Sequence, residues 1–277
     1  MLMKISKICL GTLLLNTFLY SVENTPSPKL DPLKDWWKKG SYEYATTDKI
    51  LTHLEGTGRY SKSNGNDEKE DILVNITGKI RKGHFGASLS YTKKYQDYTF
   101  YNDKDDTSPA KTVEDEYKVN FVGAYDINKD FYVNLGYVNS RDITFEVYNQ
   151  TTMYLGVGYR LLTSDMHRLS VFVAKGSEDI SFGTYPQLPS GKSDGYYYQV
   201  NYSLKINPII SWTSSYAYLK LDKKNRDTSL LNSRLVIRAS ENISFLLGYE
   251  DEYMAGQSTV NRDTHDKTTY TAVKFEF

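Results

Sequence analysis

Regularly spaced charged side chains are the residues of this sequence best suited to chemistry. They fall near the start and near the end of the chain: His53, Glu55, Arg59, Arg234, Arg238, Glu250, Glu252, Lys274 and Glu276. Side chains two positions apart in an extended strand point to the same face of a sheet. Opposite charges on neighbouring strands can therefore pair with one another, or they can line a passage for ions.

The elements that must position these side chains are strands, because apolar residues recur at every second position. Ile243, Phe245 and Leu247, for example, alternate with Ser244 and Gly248. Such a pattern is typical of half-buried strands. It predicts twelve strands at about 50–62, 70–80, 84–100, 112–126, 130–141, 150–161, 167–182, 195–206, 209–221, 227–239, 242–253 and 267–277. Each is long enough to cross a bilayer when tilted, which takes about 9–11 residues.

The connections between these strands alternate in length. Five are tight, at 81–83, a few residues around 128, 162–166, 207–208 and 240–241, and six are mostly longer: 63–69, 101–111, 142–149, 183–194, 222–226 and 254–266. Short periplasmic turns and longer external loops are typical of an outer-membrane barrel. No proline falls inside a predicted strand, where it would remove a hydrogen bond that lipid could not replace. The sequence thus predicts an all-β, transmembrane, antiparallel up-and-down barrel over residues 50–277.

Residues 1–21 have the features of an export signal. Lys4 and Lys7 precede the apolar run Ile8–Leu15, and Ser21 is a small residue suited to cleavage. A proline-containing periplasmic tether is predicted over 22–49. Cys9 is the only cysteine and lies within the signal, so the mature chain would contain no disulfide, thiolate metal site or cysteine nucleophile.

Composition agrees with a wall between lipid and water. The chain has 25 tyrosines, 11 phenylalanines and 3 tryptophans, yet only 39% of its residues are hydrophobic. Tyrosine and tryptophan favour the membrane interface, where the ring is apolar and the polar tip stays hydrated. Removing Lys4 and Lys7 from 34 basic residues leaves 32 against 34 acidic ones, which argues against a nucleic-acid partner.

The last strand ends with apolar side chains at alternate positions, Val273, Phe275 and Phe277. A terminal aromatic in this pattern resembles the signal by which outer-membrane barrels are recognised for insertion. We therefore expect the barrel-assembly machinery and periplasmic chaperones to be partners of this chain, together with outer-membrane lipid and lipopolysaccharide.

Three segments carry a resemblance to a known family. They are Arg59–Asn66, with its Ser-x-Gly-Asn sequence, the stretch from Tyr125 to Tyr137, and Tyr154–Leu161, which contains Gly-x-Gly-Tyr-Arg-Leu. The chain from about residue 36 resembles the YdiY-like family of salt-induced outer-membrane proteins. This resemblance implies an outer-membrane barrel and no defined biochemical activity.

Catalytic arrangements known from other barrels do not fit the sequence. The residues two positions after His53, His84, His167 and His265 are Glu55, Gly86, Leu169 and Lys267, whereas the outer-membrane phospholipase requires a serine. Two loop groups contain the side chains that an omptin-like protease or a calcium site would use, but solvated charge explains them more simply: Asp263, His265 and Asp266, and Asp103, Asp105 and Asp106. The Gly156-x-Gly158 pair opens no helix, which argues against nucleotide binding and favours making room for lumen side chains.

The sequence therefore predicts a monomeric, non-enzymatic barrel in the outer membrane of a Gram-negative bacterium, without metal or cofactor. If Leu54 and Tyr60 face lipid, the charged candidates face the lumen. They then form either a selectivity lining or a salt-bridged plug, and the similar numbers of both signs favour the plug. The main hypothesis is a narrow pore for ions or small solutes, or a structural envelope component. Alternatives are an adhesion barrel acting through its external loops and a barrel hydrolase.

Overall fold

A computed structural model describes residues 48–64, 68–100, 110–142, 147–164, 166–182, 190–222, 227–254 and 265–277. The predicted signal (1–21) and all but the last two residues of the predicted tether (22–49) lie outside this part of the chain. Within the described residues, no helix is long and apolar enough to cross a membrane.

Twelve strands form one closed barrel. They are β1 Leu51–Asn64, β2 Glu68–Lys82, β3 Phe85–Phe100, β4 Ala110–Asp126, β5 Phe131–Asp142, β6 Val147–Thr163, β7 His167–Phe182, β8 Gly191–Lys205, β9 Ile210–Leu221, β10 Asp227–Arg238, β11 Ile243–Met254 and β12 His265–Glu276. Each strand pairs antiparallel with its neighbours in sequence. Pairing of β1 with β12, from Glu55 opposite Glu276 to Lys62 opposite Thr269, closes the wall. The predicted up-and-down barrel and its strand number are confirmed.

An apolar band covers the outside of the barrel. Its aliphatic side chains, which are about half-exposed, include Leu54, Ile76, Leu135, Val173 and Leu247. Aromatic side chains border the band on both sides: Phe85, Tyr125, Phe131 and Phe275 on one, and Tyr60, Tyr95, Tyr196 and Tyr253 on the other. An aliphatic belt between two aromatic girdles is the outer surface of a transmembrane barrel, where lipid replaces water around the apolar groups.

Five short turns lie at one end of the barrel, together with the start of β1 and the end of β12; we call this the turn end and the opposite rim the loop end. Gly83 adopts a φ of 53° in the two-residue turn between β2 and β3, a conformation that favours glycine. The turns at 127–130 and 206–209 share one design. In each, the asparagine at the second position accepts hydrogen bonds from two later backbone N–H groups, at 2.7–2.8 Å.

Strands at the loop end extend further than the sequence pattern predicts. Only residues 65–67 lie between β1 and β2, and only 143–146 between β5 and β6, so the prediction of long connections there is wrong. Strand β8 likewise begins at Gly191, which is paired with Ile180, inside the predicted loop 183–194. Above the lipid both faces of a strand can be polar, so backbone pairing continues where the hydrophobic alternation has stopped.

Candidate functional site

The inner face of the barrel holds the charged side chains singled out from the sequence. Leu54 and Tyr60 are exposed on the outside of β1, and Leu247 and Phe275 are exposed on β11 and β12. Because neighbouring positions on a strand alternate between faces, the structure places the charged candidates on the other, inward side. They are His53, Glu55, Arg59, Arg234, Arg238, Glu250, Glu252, Lys274 and Glu276.

Glu55 is the centre of an ion-pair network near the turn end. Its carboxylate lies 3.3 Å from the Lys79 ammonium and 3.0 Å from that of Lys274. Lys274 also contacts Glu276 at 2.5 Å, and the Nε2 atom of His53 lies 3.6 Å from Glu55. The network crosses the closure between β1 and β12, so it joins the two ends of the barrel chain.

Three members of this network have side chains of the types that bind metal ions in other proteins. The ligand atoms of His53, Glu55 and Glu276 all lie within 4.8 Å of one another. However, the ammonium of Lys274 contacts both carboxylates, and Lys79 contacts one of them. Two lysine cations thus neutralise the carboxylates that a metal ion would need, so the geometry favours a salt-bridged cluster.

A second network lies nearer the loop end. Arg59 forms an ion pair with Glu250 at 3.0 Å, and its guanidinium stacks 4.1 Å from the centre of the Tyr270 ring. Asn232 donates to the same Glu250 carboxylate at 3.0 Å and accepts from the Tyr270 hydroxyl at 3.3 Å. Glu252 lies beside this group, on the edge of a cavity of ≈ 50 Å³ that Arg59 and Glu250 also line.

Arg234 and Arg238 differ from the other candidates. The Nε of Arg234 donates to the Thr213 hydroxyl at 3.0 Å, and the side chain remains exposed. Within the described part of the chain, neither arginine has a carboxylate partner. Arg234 lies close enough to Lys79 for their charges to repel each other. This region of the inner face therefore carries positive charge that no acid among the described residues neutralises.

The wall around Arg234 is polar and partly accessible to water. It consists of hydroxyl and amide side chains that share the inward face of β8, β9 and β10, none of them fully buried: Asn201, Ser203, Thr213, Ser215 and Asn232. Short polar side chains leave room in the lumen and can hydrogen-bond water or a solute. This is the part of the inner face that is best suited to a passage.

The adjoining wall, from β5 to β8, is filled by aromatic rings. Tyr154 stacks on Tyr197 with ring centres 4.8 Å apart, and Phe172 packs edge-on against Tyr154 at 5.8 Å. Glycines make the space: a Cβ on Gly158 would lie 2.0 Å from Cζ of the Tyr132 ring. The prediction that the glycines of Gly156-x-Gly158 make room for inward side chains is confirmed for Gly158. At Gly156, an added Cβ would lie 2.2 Å from the Val173 carbonyl oxygen and 2.4 Å from Cβ of Ala174, so this glycine mainly permits a close approach of the neighbouring strand.

A third ion-pair cluster was not singled out from the sequence. The buried carboxylate of Asp126, at the end of β4, lies between Arg81 of β2 and Arg160 of β6, with Arg160 at 2.5 Å. Arg160 also donates to the Lys129 carbonyl at 3.1 Å and lies 4.8 Å above the Tyr132 ring. The alternation of polar and apolar residues within each strand could have predicted that each of these side chains points inward. Their meeting depends on alignment across five strands.

The described histidines make contacts that account for their positions without catalysis. His84 Nδ1 lies 2.6 Å from the Asp126 carbonyl, and His167 Nδ1 lies 2.9 Å from the Tyr202 hydroxyl. His53, as noted, lies beside Glu55. The loop groups Asp103–Asp106 and 263–264 lie outside the described residues, as does the side chain of His265.

The predicted assembly signal forms the outer edge of the closure. Val273 and Phe275 share the outward face of β12, opposite Gly58 and Gly56 of β1. Phe277 is 72% exposed, and its backbone exchanges two hydrogen bonds with Leu54, at 2.8 and 3.1 Å. The last residue therefore extends the pairing between the first and last strands.

No family model and no curated relative matches the chain. Solved structures with a similar fold are outer-membrane barrels. The NanC porin covers 80% of this chain and 98% of its own, with a TM-score of 0.49 and 10% identity. The KdgM porin in complex with disordered oligogalacturonate covers 81% of this chain and 99% of its own, with a TM-score of 0.43 and 12% identity. The translocator domain of the autotransporter NalP from Neisseria meningitidis covers 82% of this chain and 88% of its own, with a TM-score of 0.45 and 10% identity. Such low identities and TM-scores do not transfer a function, so the evidence for function lies in this chain's own residues.

Proposed function

We propose that this protein is a narrow pore for ions and small solutes in the outer membrane of a Gram-negative bacterium. The observation that carries the proposal is Arg234, an inward guanidinium that remains exposed and has no carboxylate partner among the described residues. A charge enclosed in a dry interior without a counter-charge is strongly unfavourable. Arg234 is therefore best explained by water in the lumen beside it.

The remainder of the inner face supports a narrow passage over a wide one. Ion pairs around Glu55 occupy the wall at β1, β2 and β12, while stacked rings around Phe172 occupy β5 to β8. Both groups project into the barrel and reduce its free cross-section. The polar wall of β8 to β10 is left as the side along which water and solutes would pass.

The proposed location and partners follow from the outer surface. An apolar band bordered by aromatic rings is suited to lipid and lipopolysaccharide, and a single closed barrel needs no second copy to satisfy its strand edges. We propose that the barrel-assembly machinery recognises the terminal strand through Val273, Phe275 and Phe277, with periplasmic chaperones holding the chain before insertion. A monomer is the simplest assembly of this kind.

Conductance in a planar bilayer tests the pore. The refolded, heat-modifiable protein should give stepwise ionic currents. Replacing Arg234 by Glu should shift the reversal potential in a KCl gradient toward cation selectivity, because the lumen loses a positive charge and gains a negative one.

Lys82→Glu is the matched control. It changes the charge by the same amount as Arg234→Glu, but on the outward side of β2, where Lys82 pairs with Phe85. It should leave the reversal potential where it is in the parent protein. Absence of current from folded, inserted protein would overturn the pore and leave a structural or adhesive barrel.

A further inference from the structure

The charges on the inner face are distributed unequally along the barrel axis. We propose that this asymmetry makes the pore a rectifier, which carries more current when the loop side is electrically positive. The inference rests on the proposed function, since only a conducting lumen can rectify.

The turn-end half of the lumen is basic. Within five positions of the turn end, the described inward side chains include eight basic residues, Lys79, Arg81, Arg160, Arg168, Lys205, Arg234, Arg238 and Lys274, against three acidic ones, Glu55, Asp126 and Glu276. Two arginines share Asp126, and the Glu55 network balances its two lysines with two carboxylates. The excess positive charge therefore includes Arg234 and Arg238.

The loop-end half has the opposite balance. Between about seven and eleven positions from the turn end, the described inward side chains include five acidic residues, Asp71, Glu116, Glu178, Glu250 and Glu252, against three basic ones, Arg59, Lys94 and Lys118. Arg59 and Lys94 are occupied by Glu250 and Glu116, at 3.0 and 3.2 Å. Lys118 has no acidic partner among the described residues, so it offsets part of the negative charge.

The two halves are far enough apart to act separately. Seven positions along a strand tilted by about 40° correspond to roughly 18 Å of barrel height. The Debye length is about 10 Å at 0.1 M salt and about 3 Å at 1 M. An ion in dilute salt thus experiences a positive zone and then a negative or neutral zone, whereas concentrated salt screens both.

Such an arrangement makes the current depend on the sign of the voltage. With the loop side positive, cations enter through the acidic half and anions through the basic half, so both accumulate inside the lumen. Reversing the voltage withdraws both kinds of ion and lowers the conductance. A unit charge about 5 Å from the ion path changes the local counter-ion concentration by roughly two- to four-fold, which sets the scale of the expected effect.

The test is the current–voltage relation of single channels of known orientation. In a Cys9→Ser background, Glu241→Cys places a thiol in the exposed turn between β10 and β11, where an impermeant maleimide reports which side holds the turn end. At 0.1 M KCl the current at +100 mV on the loop side should exceed that at −100 mV by about two-fold, and at 1 M KCl the ratio should approach one.

Two charge-removing variants separate axial asymmetry from net charge. Arg234→Gln/Arg238→Gln lowers the positive charge of the turn-end half and should reduce the current ratio. Lys118→Gln also removes positive charge, but from the loop-end half, so it should increase the ratio. Heat-modifiable migration of each variant verifies that the barrel has folded.

The outcomes distinguish this inference from the function on which it rests. Folded, inserted protein without current overturns the pore itself. Currents that are equal at both signs in 0.1 M KCl overturn rectification and leave the pore standing. A ratio that moves in the same direction in the two variants also overturns it, because net charge and not axial position would then be the cause.

Discussion

Gly158 shows how a missing side chain can decide the packing of the lumen wall. The Tyr132 ring lies directly over it, and a Cβ there would be 2.0 Å from the ring carbon Cζ. Tyr132 in turn supports Arg160 by a cation–π contact and stacks against Phe172, with ring centres 6.2 Å apart. Replacing this glycine therefore affects both an aromatic cluster and an ion pair.

Gly158→Ala should lower the free energy of unfolding by about 1–3 kcal/mol, because the tyrosine ring must move out of a packed position. Gly58→Ala is the matched control, since nothing lies within 4 Å of a Cβ at Gly58. It should be neutral or stabilising by up to about 1 kcal/mol, as glycine is a poor strand residue. Urea titration of the two variants refolded into vesicles gives both values, and equal destabilisation would contradict the packing explanation.

Glu55 is the residue on which the turn-end ion pairs depend. Glu55→Gln should cost about 1–3 kcal/mol, because it leaves Lys79 without the carboxylate that it contacts at 3.3 Å. Adding Lys79→Gln should cost less than it does in the parent protein, since its partner is already lost. A double-mutant cycle by urea titration measures this coupling, and strictly additive costs would show that the pair does not contribute.

At the scale of elements, β12 has two tasks at once. It closes the barrel by pairing with β1, and its outward face carries Val273 and Phe275 in the predicted assembly signal. Phe277 contributes a backbone pair with Leu54 and a side chain that is largely exposed. Closure needs the backbone of this residue, whereas recognition would need its ring.

These two contributions can be separated. Deleting Phe277 should slow assembly and leave exported protein in the periplasm, because both the ring and the backbone pair are lost. Phe277→Ala retains the pairing with Leu54 and removes only the ring. If recognition depends on the aromatic, the alanine variant should be delayed as well, as measured by the fraction of heat-modifiable protein over time. Normal assembly of both variants would exclude a role for this residue as a signal.

At the scale of the whole molecule, the barrel has two unlike ends. The five connections at the turn end, where the barrel chain also begins and ends, have two to four residues, whereas four of the six connections at the loop end have five to ten. This difference is expected of a periplasmic and an external rim, and the aromatic girdles define the band that lipid covers. The axial charge distribution refers to the same two ends. Topology in the membrane therefore determines which sign of membrane potential would favour conduction.

Protease sites inserted near Asp105 or Gln257, in predicted external loops outside the described residues, should be cut in intact cells. A site inserted at the turn Gly83–His84 or at Asn207 should be protected until the outer membrane is permeabilised. Immunoblotting of the fragments records both results. If the folded protein resists cleavage at all four sites, binding of a loop-specific antibody to intact cells measures the exposure of the loops directly. Cleavage at the turns alone would mean that the barrel is inserted in the opposite direction.

The strands and their faces are determined by the sequence alone to a large extent. Alternation is a local property: Phe245 and Leu247 fall outward, while Ser244 and Leu246 fall inward, whatever their cross-strand partners are. In lipid every backbone polar group must find a partner within the protein, which leaves closure as the only outcome for twelve amphipathic strands. The strand ends above the membrane were less predictable, because polarity on both faces removes the alternating signal.

The pairing of inward charges was decided only by the tertiary structure. Arg59 and Glu250 are 191 positions apart and meet because β1 joins β12 and Arg59 reaches across it to β11. Asp126 lies between Arg81 and Arg160 because register aligns strands that are not adjacent. The inward direction of a side chain follows from a period of two in the sequence. Its ion-pair partner depends on strand register and barrel closure, which bring together residues that no local pattern relates. For the same reason, only the folded barrel shows that Arg234, which the period of two already places inward, has no acid beside it among the described residues.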